Sequence, residues 1–211
     1  MDFIEFPKIP RLSREVVVTE KIDGTNAQIN ILELATDDPT LLTEEQSKLL
    51  IAAKGPEVTG AGWRYIFAGS RSRWITRKAD NYGFANWVAE NADTLWQLGP
   101  GSHFGEWWGK GIQRNYSMTE KRFSLFNVHR WGETRPACCH VVPTLYKGPL
   151  EEHGIMKGVK NALSRLQNEG SAAAPGFMNP EGIVVFHAQA KVLFKKTLEK
   201  DEEPKGLSKA A

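Results

Sequence analysis

The stretch Val16-Val17-Val18-Thr19-Glu20-Lys21-Ile22-Asp23-Gly24-Thr25-Asn26-Ala27-Gln28-Ile29-Asn30-Ile31-Leu32 decides the fold. Its first part is β-branched through Thr19, and Gln28 to Leu32 alternates polar with apolar residues. Between them stands Asp23-Gly24, the dipeptide that best favours a tight hairpin turn. The expectation is a β-hairpin with Lys21 at the end of its first strand. A lysine in that position can be held rigidly with its amine in a cleft. Attack on phosphorus needs the neutral amine, and lysine nucleophiles are activated by burial and by neighbouring cations. A plain hairpin with a snorkelling lysine is the competing reading, and Lys-x-Asp-Gly alone does not separate the two.

Working outward, residues 36–62 read as a loop carrying a short helix, Glu44 to Ala53, with Thr43 as its N-cap. Arg64 to Ser70 is a strand. Phe84, Val88, Leu95 and Trp96 fall at helical spacing, which predicts a helix from Phe84 to Leu98 closed by Gly99-Pro100. Strands are expected at His103 to Trp107 and Phe123 to Val128, then a helix from about Glu152 to Gln167. A Gly/Ala/Pro loop runs to Pro180. The strands Gly182 to His187 and Val192 to Thr197 form a second hairpin, and a charged, frayed tail starts at Leu198. This order predicts an α+β domain built on antiparallel sheet, without internal repeats.

The totals fit a soluble globular chain: 211 residues, 41% hydrophobic and 25% charged. Cys138 and Cys139 are adjacent and too few for a disulfide scaffold, which points to a reducing, cytoplasmic setting. No apolar run reaches the roughly 18 residues of a membrane span. The acidic, proline-broken start does not read as a signal peptide. Net charge is only +2, so any nucleic-acid surface must be a local basic face. Arg71-Ser72-Arg73 with Arg77-Lys78, and Lys191 with Lys195-Lys196, are the candidates. Taken singly, each such cluster reads as solvated surface.

Four further segments carry chemistry. Phe104-Gly105-Glu106-Trp107-Trp108-Gly109-Lys110-Gly111-Ile112-Gln113-Arg114-Asn115-Tyr116 packs aromatics, glycines and an acid into one run. Glu106 at a strand end suits accepting two ribose hydroxyl protons, and glycines let backbone approach a ligand closely. In Phe123-Ser124-Leu125-Phe126-Asn127-Val128, alternation sends Phe123 and Leu125 one way, Ser124 and Phe126 the other. A phenyl ring on that face can stack on a base, a contact worth roughly 1–3 kcal/mol, although core packing is the commoner fate of a strand phenylalanine. Glu181 stands directly ahead of the apolar strand Gly182-Ile183-Val184-Val185. Leu193-Phe194-Lys195-Lys196-Thr197 ends a strand with two cations. An acid and a lysine on neighbouring strands suit a metal and a triphosphate respectively.

In order, these segments read Lys-x-Asp-Gly, Ser-Arg, Phe-Gly-Glu, Phe-x-x-Phe, Glu-Gly-Ile-Val-Val and Phe-Lys, over roughly Thr19 to Thr197. The set resembles the covalent nucleotidyltransferase superfamily of polynucleotide ligases and mRNA capping enzymes. Within it, Phe104 to Asn115 is closest to the nick-sealing RNA ligases of phages and trypanosome editing complexes. The resemblance implies an antiparallel, ATP-grasp-like ligase adenylation domain with a few flanking helices over residues 1–198, a charged tail over 199–211, and no C-terminal OB domain.

It also implies an ATP-dependent RNA ligase using Mg²⁺ or Mn²⁺. Lys21 would become lysyl-adenylate. Glu20 would sit against the adenine, Asn26 would help seat the RNA end or its ribose, and Arg71 would contact the phosphates or the end carrying them. Glu106 would hold the ribose hydroxyls and Phe126 would stack on the adenine. Glu181 would bind the divalent metal, Lys195 would steady the α-phosphate, and Lys196 would serve as a second cation. Nicked RNA or an RNA-containing duplex is the implied partner, with an accessory protein to help hold it and a phage-encoded enzyme acting in host cytoplasm. Some positions depart from the pattern. Asn26 stands where DNA ligases carry Arg, Asp23 where the closest RNA ligases often have His, and Asn127 where they favour Asp. Lys195-Lys196-Thr197 replaces Lys-x-Lys. A minimal DNA ligase and a non-catalytic nucleotide or RNA binder are the rival readings.

Overall fold

A computed structural model describes residues 3–34, 42–55, 62–199 and 201. The fold is α+β with mostly antiparallel sheet, and it divides into two compact units. The first contains residues 1–22 and 143–211, the second residues 23–142.

The first unit is built on β1 (Glu15–Lys21), β9 (Thr144–Pro149), β10 (Gly182–His187) and β11 (Val192–Thr197), in the order β11-β10-β1-β9. Every pairing is antiparallel. Val16, Val18, Ile183 and Val185 alternate onto one face and bury against Ala162 and Leu166 of α4 (Lys157–Glu169). The helix expected from Glu152 starts later, at Lys157. Glu152 and Ile155 instead exchange backbone hydrogen bonds across His153 and Gly154, both left-handed, and this tight turn precludes helix. The β10–β11 hairpin matches the expectation, Gly182 opposite Thr197 and His187 opposite Val192. Among the described residues β11 pairs only with β10, leaving it an edge on which Leu193 and Phe194 stay exposed.

The second unit carries β2 (Thr25–Leu34), β3 (Leu50–Lys54), β4 (Trp63–Ser70), β5 (Trp74–Ile75), β6 (Gly101–Gly109), β7 (Lys121–Leu125) and β8 (Cys139–Val141). Their order is β3-β4-β2-β6-β7-β8, with β5 added to β4 and β7–β8 parallel. Ile29, Ile31, Ile66, Trp107, Phe123 and Leu125 line the core face. Phe84, Val88 and Leu95 cover them from α2 (Phe84–Glu90) and α3 (Ala92–Leu95). The helix expected over Phe84 to Leu98 is broken at Asn91, whose side chain donates to the Trp87 carbonyl and competes with the helical ladder. The chain goes on through α3 into a 3-10 turn at Trp96–Leu98, and Gly99 ends it in the left-handed region.

Three other expectations change. The Asp23-Gly24 hairpin is not formed, because β1 pairs with β9 and β10 while β2 pairs with β4 and β6. Gly24 is needed for space rather than turn geometry: a Cβ there would meet the Trp107 carbonyl at 2.5 Å and Trp108 Cβ at 2.7 Å. The helix from Glu44 is α1 (Glu44–Leu49), held by a reciprocal Thr43–Gln46 capping box. It buries no residue, so nothing extends it, and Leu50 onward pairs with β4. The strand expected to Val128 ends at Leu125. Residues 36–41, 56–61 and 202–211, read above as loop and tail, lie outside the described residues. No helix among the described residues is long and apolar enough to cross a membrane.

Candidate active site

In the first unit, β1 carries Glu20 and Lys21 on opposite faces, since successive strand residues alternate. Lys21 stands opposite Gly182, at the start of β10, and Glu181 immediately precedes that strand. The Lys21 ammonium meets the Glu181 carboxylate at 2.5 Å, with side chains 21% and 6% exposed. The Glu181 backbone is fixed too, because its carbonyl accepts from Leu198 N–H at 2.9 Å. On β11, Lys195 lies across from Val184 and so from Thr19, on the face shared with Lys21. Lys196 lies across from Ile183 and so from Glu20, on the other face, and its ammonium donates to Asp201 at 2.9 Å. The register thus puts Thr197, opposite Gly182, on the Lys21 face.

Glu20 is only 1% exposed. One carboxylate oxygen accepts from Ser171 Oγ at 2.6 Å, and the other from the amides of Ala172 and Ala173 at 2.8 and 2.9 Å. Burial raises its pKa above the ordinary carboxylate value, opposed by those three hydrogen bonds. Ser171 Oγ in turn accepts from Ala174 N–H, closing the loop after α4 onto β1. Ser171 was not singled out in the sequence, where Ser-Ala-Ala-Ala reads as low complexity. Only the buried charge next to Lys21 hinted that such a partner must exist.

In the second unit, Asn26 of β2, Glu106 of β6 and Ser124 of β7 are direct cross-strand partners and share one face. Glu106 accepts from Gly24 N–H at 3.1 Å. Phe126 follows β7, donates its N–H to the Phe104 carbonyl, and is 38% exposed. Phe104, 49% exposed, alternates onto the same face as Glu106 and was not assigned a role in the sequence reading. Its spacing of two from Glu106 was the available signal. Arg71 sits exposed in the turn between β4 and β5.

Gly105 has a packing role of its own. A Cβ there would meet the Ser124 carbonyl at 2.5 Å and the Phe123 ring at 2.6 Å, so the glycine lets β6 and β7 pack. Asp23 is held from the loop after β6: Tyr116 Oη accepts its N–H at 2.8 Å, and Arg114 Nε donates to its carboxylate at 3.1 Å. Gln113, Asn115, Tyr116 and Ser117 in that loop are all left-handed, the kind of backbone strain that clusters at functional sites.

Among the described residues, no group of three or more His, Cys, Asp or Glu could hold a metal ion. A single carboxylate such as Glu181 still suits Mg²⁺, which keeps several waters and takes one or two carboxylates plus substrate phosphates.

The RNA ligase family model matches residues 14–197, and the chain belongs to that family. No curated protein sequence matches it. Solved structures of Naegleria gruberi RNA ligase share the fold. An arginine-to-alanine mutant with ATP and Mn gives a TM-score of 0.53 at 17% identity, covering 88% of this chain and 50% of that one. A glutamate-to-alanine mutant with AMP and Mn gives 0.54 at 17%, covering 87% and 49%. A lysine-to-alanine mutant with ATP and Mn gives 0.55 at 16%, covering 88% and 50%. The chain therefore spans about half the length of the solved ligases it matches.

Proposed function

We propose that this chain is the adenylation domain, over residues 1–198, of an ATP-dependent RNA ligase that works through lysyl-AMP. The observation that carries the reading is Lys21 at the end of β1, its amine against Glu181 and its strand face shared with Lys195.

Three displacements at phosphorus make up the reaction. Lys21 Nζ attacks the α-phosphorus of ATP, an N–P bond forms, and pyrophosphate leaves. A 5′-phosphate oxygen of the broken strand then attacks the adenylate phosphorus, and the N–P bond breaks. A 3′-hydroxyl finally attacks the 5′-phosphorus, the phosphodiester forms, and AMP leaves. Glu181, in hydrogen-bond contact with Lys21, is in reach of the proton the amine must lose before the first attack. Lys195 counters negative charge building on the α-phosphate; Lys196, on the other face and paired with Asp201, does not share that role. A divalent cation on Glu181 and the nucleotide phosphates would neutralise further charge at the reacting phosphorus. In the second unit, Glu106 suits the ribose hydroxyls, Phe126 the adenine, and Asn26 and Arg71 the RNA end. ATP and Mn in the Naegleria ligase structures support this choice of nucleotide and metal class.

Intact-mass measurement after incubation with ATP and Mg²⁺ tests the first step. Wild type gains one AMP and Lys21→Ala gains none; equal behaviour of the two removes Lys21 as nucleophile. Nicked duplexes differing only in the sugar at the 3′-hydroxyl side test the substrate. Preference for ribose fits the reading, since 2′-hydroxyl contacts distinguish RNA from DNA. Equal sealing of both makes the chain a general polynucleotide ligase.

A further inference from the structure

Glu106 and Trp107 are successive residues of β6, so they face opposite sides of the second unit's sheet. On the Trp107 side, between α2 and the ends of β6 and β7, lies an open cleft of about 340 Å³. It is distinct from the face that carries Asn26, Glu106 and Phe126. Its floor is aromatic: Trp107 is 2% exposed, and the half-buried Trp87 ring lies with its centroid 5.2 Å away. Lys110, Lys121 and Glu90 also line it, two cations against one acid.

The backbone fixes these groups in place. Tyr82 and Gly83 are both left-handed, and the Tyr82 carbonyl accepts from both Lys121 Nζ at 2.6 Å and Trp107 Nε1 at 3.2 Å. Lys110 is anchored through its N–H to the Glu120 carbonyl at 2.9 Å. Among the described residues neither lysine forms an ion pair with a carboxylate.

We propose that this cleft holds one nucleotide of an RNA strand, its base against the Trp87 indole and its backbone phosphate between Lys110 and Lys121. Three features of the cleft select that ligand. The volume is at the small end of single-ligand pockets. An indole face stacks any base without reading its sequence. Two ammonium groups beside it suit a phosphate diester and repel a cationic ligand. The choice of RNA rests on the ligase reading; the cleft itself does not depend on Lys21.

The test is fluorescence anisotropy of a labelled nicked RNA duplex with the full chain, across a range of salt. Lys110→Ala is expected to flatten the dependence of log affinity on log salt by about one unit. Trp87→Leu is expected to weaken binding roughly tenfold at every salt and to leave that slope unchanged. Both variants should still take AMP from ATP as wild type does. Wild-type affinity and slope in both variants overturn the proposal. If Trp87→Leu does not fold, Lys110→Ala decides alone. Trp87→Leu binding RNA as tightly as wild type, with poly-glutamate displacing the RNA equally from both, also overturns it, because the site then holds anions with no base on the indole. If wild type takes no AMP yet binds RNA through Lys110 and Trp87, the ligase reading falls and the cleft stands.

Discussion

Lys21 Nζ lies 2.5 Å from the Glu181 carboxylate, though 160 residues separate the two in the chain. The pair ties the end of β1 to the start of β10, and it sets charge against charge where water is mostly excluded. Removing Lys21 strands a carboxylate only 6% exposed. Lys21→Ala should therefore cost about 2 kcal/mol in urea unfolding, less than a fully buried pair because the lysine keeps some contact with water. Adding Glu181→Gln should return most of that stability and none of the AMP uptake.

Glu20 accepts three hydrogen bonds, from Ser171, Ala172 and Ala173. Glu20→Ala should cost roughly 3 kcal/mol by leaving those donors unmatched. Glu20→Gln should cost less, since its amide oxygen can take both backbone donors. The two forms also separate by pH. Burial raises the Glu20 pKa, so its protonated form adds stability that is full below the ordinary value of 4.5 and is lost as pH rises through the raised one. The glutamine variant lacks that loss, and its stability relative to wild type should improve over the same rise in pH.

Gly24 and Gly105 have no room for a side chain. Gly24→Ala and Gly105→Ala should each lose about 2–3 kcal/mol by forcing backbone apart, read as a drop in Tm. A mild effect at Gly105 would mean that β6 and β7 can separate without penalty.

Strand register separates the two final cations. Lys195 shares the face of Lys21, whereas Lys196 lies opposite and binds Asp201. Lys195→Ala should reduce self-adenylylation at least tenfold more than Lys196→Ala, about 1.4 kcal/mol in the barrier. Equal losses would mean that both ammonium groups reach the nucleotide.

His103 is buried, with Nε2 2.9 Å from the Gly99 carbonyl. Burial lowers its pKa, as does nearby Arg130, against the opposing hydrogen bond to Gly99. Its neutral form therefore adds stability that is present above the ordinary histidine value and lost as pH falls through the lowered one. Unfolding free energy should decline below about pH 6.5. His103→Gln should decline less over that range.

The α+β class and most strands were legible because alternation marks a half-buried strand whatever its partner. Gly182 to His187 and Val192 to Thr197 could be read directly. The partner of β1 could not: Asp23-Gly24 carries the signal of a turn, yet its glycine answers to crowding by Trp107 and Trp108, distant in sequence. Strand β3 was hidden because Leu50 to Ala53 continues a helical run until β4 offers it a ladder. Family resemblance named Lys21, Glu106 and Glu181 from local motifs. It was silent on Ser171 and Tyr116, each of which hydrogen-bonds a residue far away along the chain.

An open sheet border is an invitation for another copy to add a strand, and among the described residues β11 is such a border, with Leu193 and Phe194 facing water. The adjacent Lys195 opposes it, because two such borders meeting would crowd like charges together, while Lys196 is paired with Asp201. The Lys195 ammonium can thus double as a guard against aggregation. Neutralising Lys195 would endanger solubility.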